Sequence, residues 1–400
     1  MKVPLFDPKP QNEPLRAEIE SAIMAVFDSG RFIGGEPVES FEREFARLVG
    51  GQHAVATSSG TDALLVTLMA LGVRAGDEVI TSPFTFFASA SVIARLGATP
   101  VFCDIDPKTF NLSPERAYDY IDDGVLGRRR KVDATKSRTK VKVVLPVHLF
   151  GQCAEMKPVL DLAEEFSLMV VEDCCQALMA KVNGQVAGTM GDAGCFSFYP
   201  SKNLGALGDS GCVVTNDEAL AETVRILRQH GEIPGQPYEH KEIGGNFRLD
   251  AIQAAALSVK LAQVPSWIQQ RTELAASYNS LFEAKGLLDD VILPVTAKGR
   301  VHVFNYYVIR VDRRNELRAA LKEKGVDTAV YYPVPLHLQQ CFRSLGYQEG
   351  DLPEAERAAK EVLALPLYPG LTQEQQEAVV SCVAEFYKAT PKKMPDLKRR

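Results

Sequence analysis

No apolar run in this chain approaches the ~20 residues needed to cross a bilayer. The opening MKVPLFDPKPQNEPLRAEIE also lacks a basic stretch followed by an apolar one. A cytoplasmic location and no membrane partner are the expectation. Excess positive charge is missing too: 45 Lys and Arg stand against 51 Asp and Glu, a net charge of −6, which argues against a nucleic-acid partner. Cysteine is present without pattern. The eight cysteines form no CxxC pair and lie mostly in apolar runs, which speaks against a disulfide framework or a metal site and for packing. Even the adjacent Cys174 and Cys175 read as core residues, because neighbours on an extended segment point apart. A G-x-x-x-x-G-K-[ST] loop and a strand-coupled G-x-G-x-x-G are both absent, which removes nucleoside triphosphates and dinucleotides as expected cofactors.

What is present is a chain of 400 residues, 46% hydrophobic and 24% charged, large enough for two domains with cores of their own. From about residue 54 to 220, short apolar runs alternate with helical spacing. Val79-Ile80-Thr81, Val143 to Val147, Leu168 to Val171 and Cys212-Val213-Val214 read as strands, and Thr61 to Gly72 and Met156 to Phe166 as amphipathic helices. Strands without strict alternation are covered on both faces, so the expected fold is α/β: a mostly parallel mixed sheet sandwiched by helices. Ligands of such sheets sit outside the carboxyl ends of the strands. After about residue 250 the pattern changes to a long helical stretch, Ala251 to Phe282, the strand Tyr306 to Val311 and further helices. The expected division is a large domain at 1–255, with an extended N-terminal arm at 1–15, and a small α+β domain at 256–400. The segment from Arg128 to Lys140 is basic and poor in apolar residues; a solvated loop and a docking patch for a phosphate-bearing ligand both fit it.

Three segments at strand ends carry chemistry. Val171-Glu172-Asp173 closes a strand with two carboxylates. Ser197 to Lys202 follows another strand and leads into a glycine-rich stretch. Thr57-Ser58-Ser59-Gly60-Thr61 opens a helix, where free N–H groups and the dipole attract an anion. Taken singly, each is a turn, a surface lysine or a plain helix cap. Taken together, they supply an anchor for a phosphate, a carboxylate for a protonated ring nitrogen, and an amine that can bond an aldehyde. Pyridoxal phosphate carries all three complementary groups.

The ordered set Ser29 to Gly35, Ser59 to Leu64, Gly76 to Thr81, His148 to Gln152, Glu172 to Ala177, Ser197 to Lys202, Gly245 to Asp250 and Tyr332 to His337 resembles the DegT/DnrJ/EryC1/StrS family of sugar aminotransferases over nearly the whole chain. The resemblance implies the fold-type I architecture of pyridoxal-phosphate transferases. It also implies amino transfer from L-glutamate to a nucleotide-linked keto-sugar, with the cofactor passing through pyridoxamine phosphate, in amino-sugar or polysaccharide biosynthesis. Lys202 would be the catalytic residue that holds the cofactor and shuttles the proton, Asp173 would pair with the ring nitrogen, and Gln176 would meet the ring's phenolic oxygen. Gly60, Thr61 and Ser197 would hold the phosphate, with Asn246 reaching across from a second subunit, which requires a homodimer with shared sites. Phe86 would stack on the ring, unless it is a core phenylalanine. Tyr332 and His337 match a substrate-side loop, and Arg248 suits either a uronate carboxylate or an interface ion pair.

Two positions depart from the family pattern: Leu178-Met179 replaces a His-Gly pair, and Ser210 replaces a glycine. A sugar dehydratase of the same fold is the nearest alternative, but those relatives place a histidine where Lys202 stands. Another fold-type I enzyme and a non-catalytic regulatory protein are the remaining alternatives. Within the family, Arg228 to Gly231 and His240 to Gly244 resemble the members that aminate C3, so the resemblance implies C3 over C4. No metal is expected.

Overall fold

The computed structural model describes residues 2–125 and 140–389. The basic segment, apart from Lys140, lies outside them. A seven-stranded sheet organises the chain, in the order His53–Thr57, Gly211–Thr215, Ala193–Ser197, Met169–Asp173, Val141–Leu145, Glu78–Thr81, Thr99–Phe102. The last five run parallel, and Gly211–Thr215 is antiparallel to both of its neighbours. His53–Thr57 therefore points the same way as the parallel set. This is the mostly parallel mixed sheet that the uninterrupted apolar runs predict.

Both faces of the sheet are covered because alternate residues of each strand feed different cores. Ala54, Ala56, Val144, Phe196 and Val214 belong to a cluster with the helices Arg16–Ser29, Glu36–Val49 and Met156–Phe166. Val55, Val143, Leu145, Cys195 and Val213 belong to one on the other side, with Gly60–Ala70, Ala88–Arg95 and Glu218–Arg228. The helical stretch expected from Ala251 to Phe282 is two helices, Ala251–Leu261 and Val264–Ala284, because Pro265 starts the second in its first turn. The division expected after residue 255 falls inside Ala251–Leu261, whose alanines pack in the first cluster. A third core lies between Val264–Ala284, Arg314–Glu323, Gln373–Ala389 and the antiparallel pair Tyr307–Arg310 with Val362–Leu365.

The N-terminal arm is not wholly extended. Val3 is buried beside Val326, but Lys9–Asn12 and Glu13–Leu15 form helical turns. Pro10 and Pro14 stand in the first turn of each, where proline's fixed φ suits a helix start. Among the described residues no helix is long and apolar enough to cross a membrane.

Candidate active site

The carboxyl ends of the strands His53–Thr57, Met169–Asp173 and Ala193–Ser197 share one edge of the sheet, and a cavity of about 690 Å³ opens there. Asp173 is the last residue of its strand and is buried, yet it lines the cavity. Ser89 Oγ donates to its Oδ2 at 2.7 Å and the Cys175 N–H to its Oδ1 at 3.1 Å, so the carboxylate is fixed in place. Lys202 comes five residues after the end of Ala193–Ser197, at the turn in which its N–H donates to Tyr199 O. Its ammonium reaches into the same cavity, close enough to the Cys175 thiol to act on it electrostatically.

The third group is a helix start. Ser59 caps Gly60–Ala70 by accepting the Asp62 N–H, leaving the first-turn N–H groups of Gly60 and Thr61 at the cavity wall. Gly60 is required by space: a Cβ there would stand 2.6 Å from Ser197 Cβ and 2.9 Å from Cys175 Sγ. The helix terminus and Ser197 thus meet as one cradle. Phe86 is 56% exposed and lines the cavity, so it is no core residue. Gln176 Oε1 accepts from Phe150 N–H and its Nε2 donates to the Tyr332 hydroxyl at 2.9 Å, which ties the sheet edge to the loop bearing Tyr331 and Tyr332.

Three of the residues nominated from sequence lie elsewhere. Asn246 is exposed and Arg248 half-buried; Asn246 pairs with Gln229 and Arg248 with Thr57 in isolated bridges, and neither lines the cavity. His337, expected on the substrate-side loop, also stands off the cavity. Its ring is buried, Nε2 stands 3.2 Å from Glu356 Oε1, and the ring packs edge-on against Tyr347. The short 3-10 turn Leu336–Leu338 aims position 337 into the fold while Leu336 and Gln339 face the cavity. Sequence reasoning missed Ser89, Cys175, Tyr306 and Tyr331. Of these only Cys175 carried a signal: alternation puts Cys174 in the core and its neighbour on the open side.

His148, Glu172 and Cys174 converge closely enough to hold an ion, but the geometry argues otherwise. His148 Nδ1 accepts from Ala154 N–H, leaving Nε2–H to donate to Glu172 at 2.8 Å. Burial opposes the Glu172 charge, yet His148 and the N–H groups of Gly188 and Gly191 outweigh it and hold the carboxyl below its usual range. Its lone pairs are taken, so the trio is a structural knot under Asp173. A larger cavity, about 1070 Å³, lies between the Asp104 to Arg116 segment and the loop around Lys298. None of the residues nominated from sequence line it.

A carboxylate, an amine and an anion cradle around one cavity, at the strand ends of an α/β sheet, define a group-transfer enzyme built around a phosphorylated cofactor. The model of the DegT/DnrJ/EryC1/StrS aminotransferase family matches residues 14–384, and the chain belongs to that family. It is 47% identical over 388 residues to a pleiotropic regulatory protein of Geobacillus stearothermophilus, covering 97% of this chain and 99% of that one. It is 40% identical over 385 residues to the dTDP-3-amino-3,4,6-trideoxy-alpha-D-glucose transaminase of Streptomyces venezuelae, covering 96% of both. The solved structure of S. venezuelae DesV in complex with a ketimine intermediate superposes with a TM-score of 0.88 at 40% identity, over 99% of this chain and 100% of that one.

Proposed function

We propose that this chain moves an amino group from L-glutamate to a nucleotide-linked keto-sugar, at C3 in preference to C4, with pyridoxal phosphate as cofactor. The observation that carries the reading is the convergence of Lys202, Asp173 and the Gly60–Thr61 helix start on one cavity. The residues fit the cofactor: the cradle leaves no room for a Cβ beside Ser197, the carboxylate is prefixed by Ser89, and an amine stands in the same space. When bound, pyridoxal phosphate supplies the aldehyde that takes up the amino group and a ring that spreads negative charge.

The chain's own residues then do the following. Lys202 Nζ would hold the cofactor and would carry a proton to and from the reacting carbon. The Asp173 carboxylate would keep a positive charge on the ring nitrogen, because an adjacent anion favours the protonated form. Gly60 and Thr61 N–H with Ser197 Oγ would hold the phosphate, and Phe86 would pack against the ring. Gln176 meets the ring oxygen while it holds Tyr332. Asn246 is exposed and off its own cavity, so its expected phosphate contact comes from a second copy in a homodimer.

The regulatory name carried by the G. stearothermophilus relative supports a second reading, a chain that binds the cofactor without turnover. Absorbance separates the two. Glutamate is expected to convert the cofactor-loaded protein to the pyridoxamine form, and Lys202→Ala to abolish that conversion; an unchanged spectrum in the native protein would overturn glutamate as the amino donor. A panel of nucleotide-linked 3-amino and 4-amino sugars, run in reverse, tests the position of the amine. Sedimentation tests the dimer.

A further inference from the structure

The segment 302–306 is held in an unusual way. Phe304 has φ of +43° and Phe150, beside it, +58°, both in the left-handed region that non-glycine residues avoid. Gly151 approaches so closely that a Cβ would stand 2.8 Å from Phe304 N. Val303 N–H donates to Gly151 O, Tyr306 N–H to Phe150 O, and Asn203 Nδ2, next to Lys202, to Val303 O.

At the centre lies Arg271, a fully buried side chain of helix Val264–Ala284. Its Nη1 donates to the carbonyls of Phe304, Asn305 and Leu367, while Nε and Nη2 have no partner. A buried guanidinium held only by carbonyls is costly, and burial pulls its pKa down to about 10. Strain and a buried charge persist where the surroundings fix something in place. What is fixed here is the one residue of the segment that lines the active cavity.

Of the tyrosines on that wall, Tyr332 is committed to Gln176. Tyr306 packs against Tyr331 with ring centroids 4.3 Å apart and the planes tilted by 33°. Tyr199 lies at the strand-end side of the cavity, and the Tyr306–Tyr331 pair presents phenols from the opposite segments, 302–306 and the loop of Tyr332.

We infer that Tyr306 is a specificity-determining residue whose phenol hydrogen-bonds a hydroxyl next to the reacting carbon of the sugar, and that Arg271 is the positioning residue that holds it there. This rests on the keto-sugar reading above.

The test uses the cofactor-loaded protein and its two half-reactions: glutamate alone, and a dTDP-linked 3-amino-hexose in reverse, with a deoxy analogue lacking the neighbouring hydroxyl. Tyr306→Phe is expected to lower kcat/KM for the amino-sugar at least tenfold more than for glutamate, and the excess is expected to vanish with the deoxy analogue. Arg271→Met should reproduce the selective loss, Arg271→Lys should recover part of it, and the double variant should be no worse than either single one. Equal effects on both half-reactions, a penalty that persists on the deoxy analogue, or additive losses would overturn the inference. Should Arg271→Met fail to fold, the Tyr306 arms decide alone. A native protein that converts glutamate but no amino-sugar removes the keto-sugar reading itself, and this inference with it.

Discussion

Gly60→Ala is the smallest change that tests the phosphate cradle. Two effects oppose each other. Gly60 has an ordinary helical φ, so alanine would improve helix propensity by at most ~0.5–1 kcal/mol. Against that, the new methyl would sit 2.6 Å from Ser197 Cβ, 3.2 Å from Ser197 Cα and 2.9 Å from Cys175 Sγ. The sulfur can give way, but the Ser197 contacts involve the last residue of a central strand, and overpacking of that kind costs ~1–3 kcal/mol. The steric effect wins. The helix start and Ser197 must separate by several tenths of an ångström, which misaligns every donor aimed at the phosphate. A net destabilisation of about 1–2 kcal/mol and a cofactor Kd weakened at least tenfold are expected, the latter being ~1.4 kcal/mol. Equilibrium titration followed by cofactor absorbance gives the Kd, and thermal melts of the cofactor-free and loaded forms separate stability from binding. A Kd within twofold of the native value, with an equal or higher Tm, would refute the reasoning, because helix propensity would then have prevailed.

Asp173→Asn keeps the acceptor for Ser89 but removes the charge, so the glutamate half-reaction should slow by about 10–100-fold, in line with the ~1.5–3 kcal/mol of a charge-assisted hydrogen bond; single-turnover absorbance measures it, and a native rate would remove Asp173 from its role. Burial pushes the His302 pKa down to about 3, against an ordinary value of 6.5. The unfolded chain therefore binds a proton that the folded one does not. Stability is whole above about pH 6.5 and falls by up to ~1.36 kcal/mol per unit as pH drops towards 3. Urea melts at several pH values should show this slope, reduced by one proton in His302→Asn. Burial also raises the Cys175 thiol pKa well above its ordinary value, whereas Cys341 is exposed; iodoacetamide at mildly alkaline pH should label Cys341 and leave Cys175 unmodified until the chain unfolds, as read by peptide mass.

The sheet and the site core were legible for one physical reason. A buried parallel strand must be a short apolar run, and the residues just past its carboxyl end are free to carry chemistry, so Asp173, Lys202 and Gly60 could be found from where each run stops. That rule concerns backbone, and it fails where a side chain's direction depends on distant packing. His337 and Leu336 sit side by side in a short 3-10 turn, and whether position 336 or 337 faces the cavity is decided by the bond from Leu336 N–H to Pro83 O, more than 250 residues away in sequence. Val362–Leu365 was hidden for a related reason: four apolar residues at the end of a helical pattern become a strand only because Tyr307–Arg310 lies alongside. Ser89 and Arg271 left no local trace, since a serine in a helix and an arginine among helical residues are ordinary in any sequence. Each acquires its meaning from the group it is packed against, Asp173 in one case and the backbone before Tyr306 in the other. The groups proposed to bond the cofactor are thus set by strand ends and readable in order along the chain. The groups proposed to orient the substrate are set by contacts across the fold, so changes of substrate among similar chains should concentrate on the wall of Tyr306, Tyr331 and Tyr332, away from the strand ends.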